Sequence, residues 1–184
     1  MKRFFLPFIG IALFVIQGNA QNTFNKGDKV VNLAVGFGSG LYSGSVYSNV
    51  TPAISGSFEV GIKDELFDAN SSLGIGGYVG YTSAKSNFGG AGYKYTDIII
   101  GARGALHYQL VEKLDTYTGL MLGYDIVSAK YYGTLGAYSG NASASGLAFS
   151  WFLGGRYYFN DRFAGLLELG VGVTNLNIGV AIKL

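Results

Sequence analysis

A chain of 184 residues is long enough for one domain, and with 49% hydrophobic and only 13% charged side chains it is unlike a soluble protein, in which about a quarter of residues are charged. It has no Cys, which excludes disulfides and a lipoprotein acyl anchor. The formal net charge of +2 comes from Lys2 and Arg3 alone, so the rest of the chain is balanced and offers no basic surface for nucleic acid.

The first twenty residues read as a targeting segment. Lys2 and Arg3 precede an apolar run from Phe4 to Ile16, and Gly18-Asn19-Ala20 supplies small residues at the positions a signal peptidase reads. Residues 1–20 are expected to be cleaved, leaving 21–184 as the domain. The run is shorter than the roughly 20 residues a spanning helix needs. No later stretch is longer, so a chain this apolar must reach lipid by another route. A closed β-barrel is the alternative that satisfies every backbone hydrogen bond.

The chain then alternates with a period of two over eight segments. Segment one, Val30–Leu41, sets Val31, Leu33, Val35, Phe37 and Leu41 against Asn32, Ala34 and glycines. Segment two, Ala53–Lys63, sets Ile54, Phe58, Val60 and Ile62 against Ser55, Ser57 and Glu59. Segment three, Ser72–Thr82, opposes Leu73, Ile75, Val79 and Tyr81 to glycines, Tyr78 and Thr82. Segment four, Tyr95–Leu110, opposes Ile98, Ile100, Leu106 and Tyr108 to Asp97, Arg103, His107 and Gln109. Segment five, Thr116–Val127, opposes Leu120, Leu122, Tyr124 and Ile126 to Gly119, Met121 and Asp125. Segment six, Gly146–Phe159, opposes Leu147, Phe149, Trp151, Leu153, Tyr157 and Phe159 to Ser150, Gly154, Arg156 and Tyr158. Segment seven, Arg162–Thr174, opposes Phe163, Leu167, Leu169, Val171 and Val173 to Glu168, glycines and Thr174. Segment eight, Leu176–Leu184, opposes Leu176, Ile178, Val180, Ile182 and Leu184 to Asn177, Gly179, Ala181 and Lys183.

Eight such segments predict an all-β fold, an eight-stranded antiparallel transmembrane β-barrel. The apolar face meets lipid and the polar face lines the lumen. Ile99, Phe152 and Leu166 are apolar at inward positions, as expected of a small barrel filled by its own side chains. Charges avoid the apolar face, where a Lys or Arg at mid-bilayer costs about 2–4 kcal/mol. The connections at 42–52, 83–94 and 128–145 read as long loops at the outer end. Those at 111–115 and 160–161 read as short turns, 64–71 is intermediate, and a very tight outer turn falls near Asn175. Tyr42, Tyr47, Tyr81, Tyr93, Tyr95, Tyr131 and Tyr132 are expected at the outer rim. Tyr108, Tyr117, Tyr157, Tyr158, Phe159 and Phe163 are expected at the periplasmic rim. A soluble lipocalin-like barrel is the competing fold, and it predicts the reverse assignment of faces.

The last strand, Asn177-Ile178-Gly179-Val180-Ala181-Ile182-Lys183-Leu184, resembles the C-terminal signal read by the barrel-assembly machinery, with Asn177, Gly179, Ile182 and Leu184 at its defining positions. It departs in ending on Leu184, where proteobacterial members usually end in Phe. Asn25-Lys26-Gly27-Asp28-Lys29-Val30-Val31-Asn32-Leu33 is similar to small barrel proteins of Bacteroidetes. The resemblance to the porin-like superfamily of small outer-membrane β-barrels implies residence in the bacterial outer membrane, contact with its lipids and delivery by the assembly machinery. It implies no particular activity, because such folds host unrelated functions.

Chemistry is sparse. His107 is the single histidine, expected as a hydrogen-bonded lumen residue. Lipid A deacylases carry a His and a Ser two residues apart facing outward, whereas Gln109 occupies that position here. One His without Cys does not make a transition-metal site. The glycine runs Gly36–Gly40 and Gly74–Gly77 lack the following helix that a phosphate loop requires. No catalytic residue, cofactor or metal is expected, and the protein does not read as an enzyme. Glu59, Asp97, Arg103, His107, Asp125, Arg156, Glu168 and Lys183 are expected to face one another in the lumen and to pair, since an unpaired buried charge costs several kcal/mol. The leading expectation is a structural or surface-interaction barrel with a filled lumen, its long loops left to meet an extracellular ligand. The alternative is a narrow porin-like channel or a conduit for small hydrophobic molecules, suggested by inward glycines that could leave a cavity.

Overall fold

The computed structural model describes residues 23–42, 47–88, 91–133 and 142–184, so the expected signal peptide lies outside the described residues. Ten strands form one antiparallel sheet: β1 (Lys29–Ser39), β2 (Tyr47–Ser48), β3 (Ala53–Asp64), β4 (Ser71–Phe88), β5 (Ala91–Val111), β6 (Leu114–Tyr132), β7 (Ala142–Ser143), β8 (Gly146–Tyr158), β9 (Phe163–Val171) and β10 (Thr174–Lys183). β2 and β7 are two-residue additions to β4 and β6. Each of the eight long strands pairs with the next along the chain, and β1 returns to pair with β10 from Val30↔Lys183 to Ser39↔Thr174. The ring is closed, with no long strand left as an edge. A closed ring pairs every ladder group within the protein, which hydrocarbon demands.

The faces fall as the alternation predicts. On β8, Leu147, Phe149, Trp151, Leu153 and Tyr157 point out and are exposed, while Phe152 and Arg156 are buried. Ile99, Phe152 and Leu166 are all interior. Charge inside and an apolar belt outside is the inverse of a lipocalin-like barrel. Leaving one such side chain in water forgoes about 1.5–3 kcal/mol, so the belt favours an apolar surrounding.

Several local expectations need correction. The 83–94 stretch is not a loop: β4 and β5 continue as a hairpin through Lys85↔Lys94 to Phe88↔Ala91. Likewise β6 runs to Tyr132, so 128–132 belongs to the wall. The tight turn is at Gly172-Val173 rather than Asn175; Gly172 has φ +109°, a conformation open to glycine. That turn resets the alternation and sends Val173 into the interior cluster, not to the lipid face. Gly38, at φ +69°, does the same for Leu41, which packs against that cluster. Tyr117 and Tyr158 are buried in the lumen instead of joining the rim aromatics; Tyr108, Tyr157, Phe159 and Phe163 stay outside.

Candidate functional site: a charged lumen under an N-terminal strap

The lumen charges separate into three groups along the barrel. In the first, Glu59 of β3, His107 of β5, Asp115 of β6 and Arg156 of β8 meet. Arg156, fully buried, donates through Nη2 to Glu59 Oε2 and through Nη1 to Asp115 Oδ2 at 3.2 Å. His107 fits between the same two carboxylates, with Nε2 2.5 Å from Glu59 Oε1 and Nδ1 2.8 Å from Asp115 Oδ1. Asp115 and Arg156 are direct cross-strand partners. Glu59 and Arg156, in contrast, stand four strands apart whichever way the eight-stranded ring is followed. Their ion pair therefore crosses the lumen at its full width. When His107 carries both ring protons, two anions balance two cations, and each nitrogen donates to a carboxylate.

The second group lies further along the axis. Arg103 Nη2 is 2.7 Å from Glu168 Oε2, and its guanidinium sits 3.9 Å from the Phe152 ring centre. Tyr117 Oη donates to Glu168 Oε2 at 3.2 Å, and Asn177 Nδ2 donates to Glu168 Oε1 at 3.3 Å. A void of about 10 Å³ beside Arg103, Glu168 and Asn177 is the space left there, about the size of one water. At Gly154 and Gly119 the inward glycines do not open a cavity. A Cβ on Gly154 would stand 2.6 Å from the Tyr117 ring, and one on Gly119 2.6 Å from Phe152. Large side chains already occupy that room.

The third group is at the end opposite the chain termini. Tyr42 Oη donates to Asp97 Oδ2 at 2.6 Å. Burial and the accepting carboxylate push the Tyr42 hydroxyl above its ordinary range. The rings of Tyr42, Tyr47, Tyr95, Tyr93 and Tyr131 follow one another at 5.0–6.2 Å between centres. Asp125 forms no ion pair among the described residues and lies near Asp97, so the expectation that all lumen charges pair fails for these two. Beside them is a cavity of about 290 Å³, lined by Gly36, Tyr42, Thr51, Pro52, Thr82 and Thr174 among others.

Lys183 belongs to none of these groups. Its Nζ is 2.6 Å from Asp28 Oδ2 and donates to the Thr23 carbonyl at 3.1 Å. The residues before β1 form a strap across the mouth at the short-turn end. Phe24 is buried and stacks on His107 at 4.1 Å between ring centres. Thr23 N donates to Gln109 Oε1 at 2.6 Å, and Ser72 Oγ donates to the Phe24 carbonyl at 2.9 Å. Ser72 is the cross-strand partner of His107, yet its hydroxyl is committed to the strap and both imidazole nitrogens face carboxylates. Within the last strand, Asn177 serves the Glu168 group, Gly179 abuts the β1 backbone at Leu33, Ile182 is half-buried, and Leu184 N donates to the Lys29 carbonyl at 2.9 Å.

The closed antiparallel ring has parallels among solved structures. Ail, the attachment invasion locus protein of Yersinia pestis, in complex with the heparin analogue sucrose octasulfate, matches 86% of this chain and 95% of its own at 9% identity, with a TM-score of 0.50. The chain has the fold of an outer-membrane β-barrel. Two further matches are the outer membrane protein OprG from Pseudomonas aeruginosa (10% identity, 89% of this chain and 99% of that one, TM-score 0.45) and a de novo designed transmembrane β-barrel (16%, 87% and 98%, 0.48). No family model matches, and no curated protein matches.

Proposed function

We propose that the chain is an integral protein of the bacterial outer membrane, exported by its N-terminal segment, with a closed lumen and a structural or surface-interaction role. The observation that carries this is the Glu59–Arg156 pair spanning the lumen, reinforced by His107 and Asp115 and capped by Phe24. A solute would have to break that set and pass a remaining void of about 10 Å³. The same enclosure supports a non-enzymatic role for His107. The apolar belt supports contact with membrane lipid, and the last strand, from Asn177 to Leu184, supports delivery by the assembly machinery. Single-channel recording of the chain refolded in a planar bilayer tests the reading: silence from folded barrel is expected, and discrete openings would replace it with a pore.

A conduit for small apolar molecules has one observation in its favour, the cavity of about 290 Å³ near Pro52 and Thr82. β1 and β3 cease to pair beyond Gly36↔Ala53, so that cavity lies where the wall parts. Stoichiometric, saturable retention of a fatty acid by folded barrel, counted by native mass spectrometry and abolished by filling the cavity with Ala53→Phe, would support it.

A further inference from the structure

The strand extensions that sequence alone reads as loops bring together three lysines. Lys85 of β4 is the direct cross-strand partner of Lys94 of β5, and Lys94 is the direct partner of Lys130 of β6. All three side chains are exposed. They share the outward face with Tyr81, Ile98 and Ile126, each lysine four residues beyond the belt residue on its own strand. That is about 13 Å along the strand and, at the roughly 40° tilt of barrel strands, about 10 Å of height above those belt residues.

Like charges placed directly opposite each other in a ladder are destabilising, and among the described residues no carboxylate offsets this one. None of the three forms an ion pair among the described residues. The chain has no acidic residue between Lys85 and Asp97, nor between Val127 and Asn160. Asp97 and Asp125, the nearest carboxylates along β5 and β6, point into the lumen. The patch also has a built floor. Tyr132 crosses β5 over Gly92, donates from Oη to the Ser86 carbonyl at 2.7 Å, and lies 5.9 Å beneath the Lys85 ammonium. A Cβ on Gly92 would meet the Tyr132 hydroxyl at 3.1 Å and the Ser86 carbonyl more closely still.

We infer that Lys85, Lys94 and Lys130 form a binding site on the membrane-facing wall for the phosphorylated headgroup of an outer-leaflet lipid. The outward face, continuous with the belt, selects a lipid over a soluble polyanion, because the exposed apolar side chains directly below would hold its acyl chains. The proposal rests on the outer-membrane reading above.

The test uses the full chain refolded in detergent micelles and offered diphosphorylated or dephosphorylated lipid A, with bound lipid counted by native mass spectrometry. The wild type is expected to retain the diphosphorylated form selectively and to lose it as salt rises. K85Q/K94Q/K130Q is expected to bind about a hundred-fold more weakly, while K29Q/K63Q/K113Q, which removes equal charge at the opposite end, binds as wild type. Heat-modifiable migration on gels confirms that each variant is folded. Equal retention of both lipids, or unchanged binding by the first triple variant, overturns the inference. So does lysine-dependent capture of soluble heparin without discrimination between the lipids. Failure of the wild type to insert into phosphatidylcholine vesicles would instead remove the outer-membrane reading, and this inference with it.

Discussion

Arg156 is the residue on which the interior turns. Replacing it with Ala leaves Glu59 and Asp115 buried without their strongest partner, and breaking a buried pair from one side costs about 3–5 kcal/mol. Arg156→Ala is therefore expected to unfold at markedly lower urea in vesicles while conductance stays silent. Raised conductance with unchanged stability would make Arg156 a gate. A smaller change tests the packing: Gly154→Ala, which drives a methyl into the Tyr117 ring, should cost about 1–3 kcal/mol. Gly104→Ala, with open space around the new methyl, should be close to neutral. The presence of lumen charges was legible in the alternation, because each occupies an inward position. Asp115 was not, since the Glu112-Lys113 turn beside it reads as the end of the strand. Its place in step with inward Gly119 and Met121 was the available signal.

The N-terminal strap and the β4–β5 hairpin are the elements whose form departs most from the sequence reading, for different reasons. The strap carries no periodicity: Phe24 is buried only because a charged cluster and a stacking partner wait beneath it. Phe24→Ala should destabilise by about 3–5 kcal/mol and open His107 to diethyl pyrocarbonate, measured as carbethoxylation of the folded barrel. A His107 equally reactive in the wild type would show that the strap does not seal the mouth. The hairpin hides because Ser83-Ala84-Lys85-Ser86-Asn87 has turn-like composition, yet strand pairing continues through it once both arms are held below. At Gly172, substitution by Val is expected to slow or block folding, since the residue must keep a positive φ and lie against the Phe149 carbonyl. Refolding yield on gels reads that outcome.

The molecule as a whole was the most legible level. Eight alternating stretches fix the number of long strands, and the absence of charge from one face within those stretches fixes which side meets lipid. Closure of the ring was implied only by the need to leave no edge in hydrocarbon; the register that achieves it, Val30↔Lys183 onward, is visible only in the fold. The chain is expected to partition into detergent-extracted membranes, and recovery in the aqueous fraction would contradict the face assignment.

Lys183 gripping both Thr23 and Asp28, with Leu184 N bonded to Lys29, brings the two ends of the described chain side by side. Topologically the barrel is thus a loop with an arbitrary start. A circular permutant, joined by a short linker between Leu184 and Thr23 and reopened in the 65–70 turn, should keep every strand pair and fold to the same barrel. The permutant would place Leu184 within a continuous chain, so retained folding with lost delivery in cells would separate the last strand's part in the wall from its proposed part in assembly.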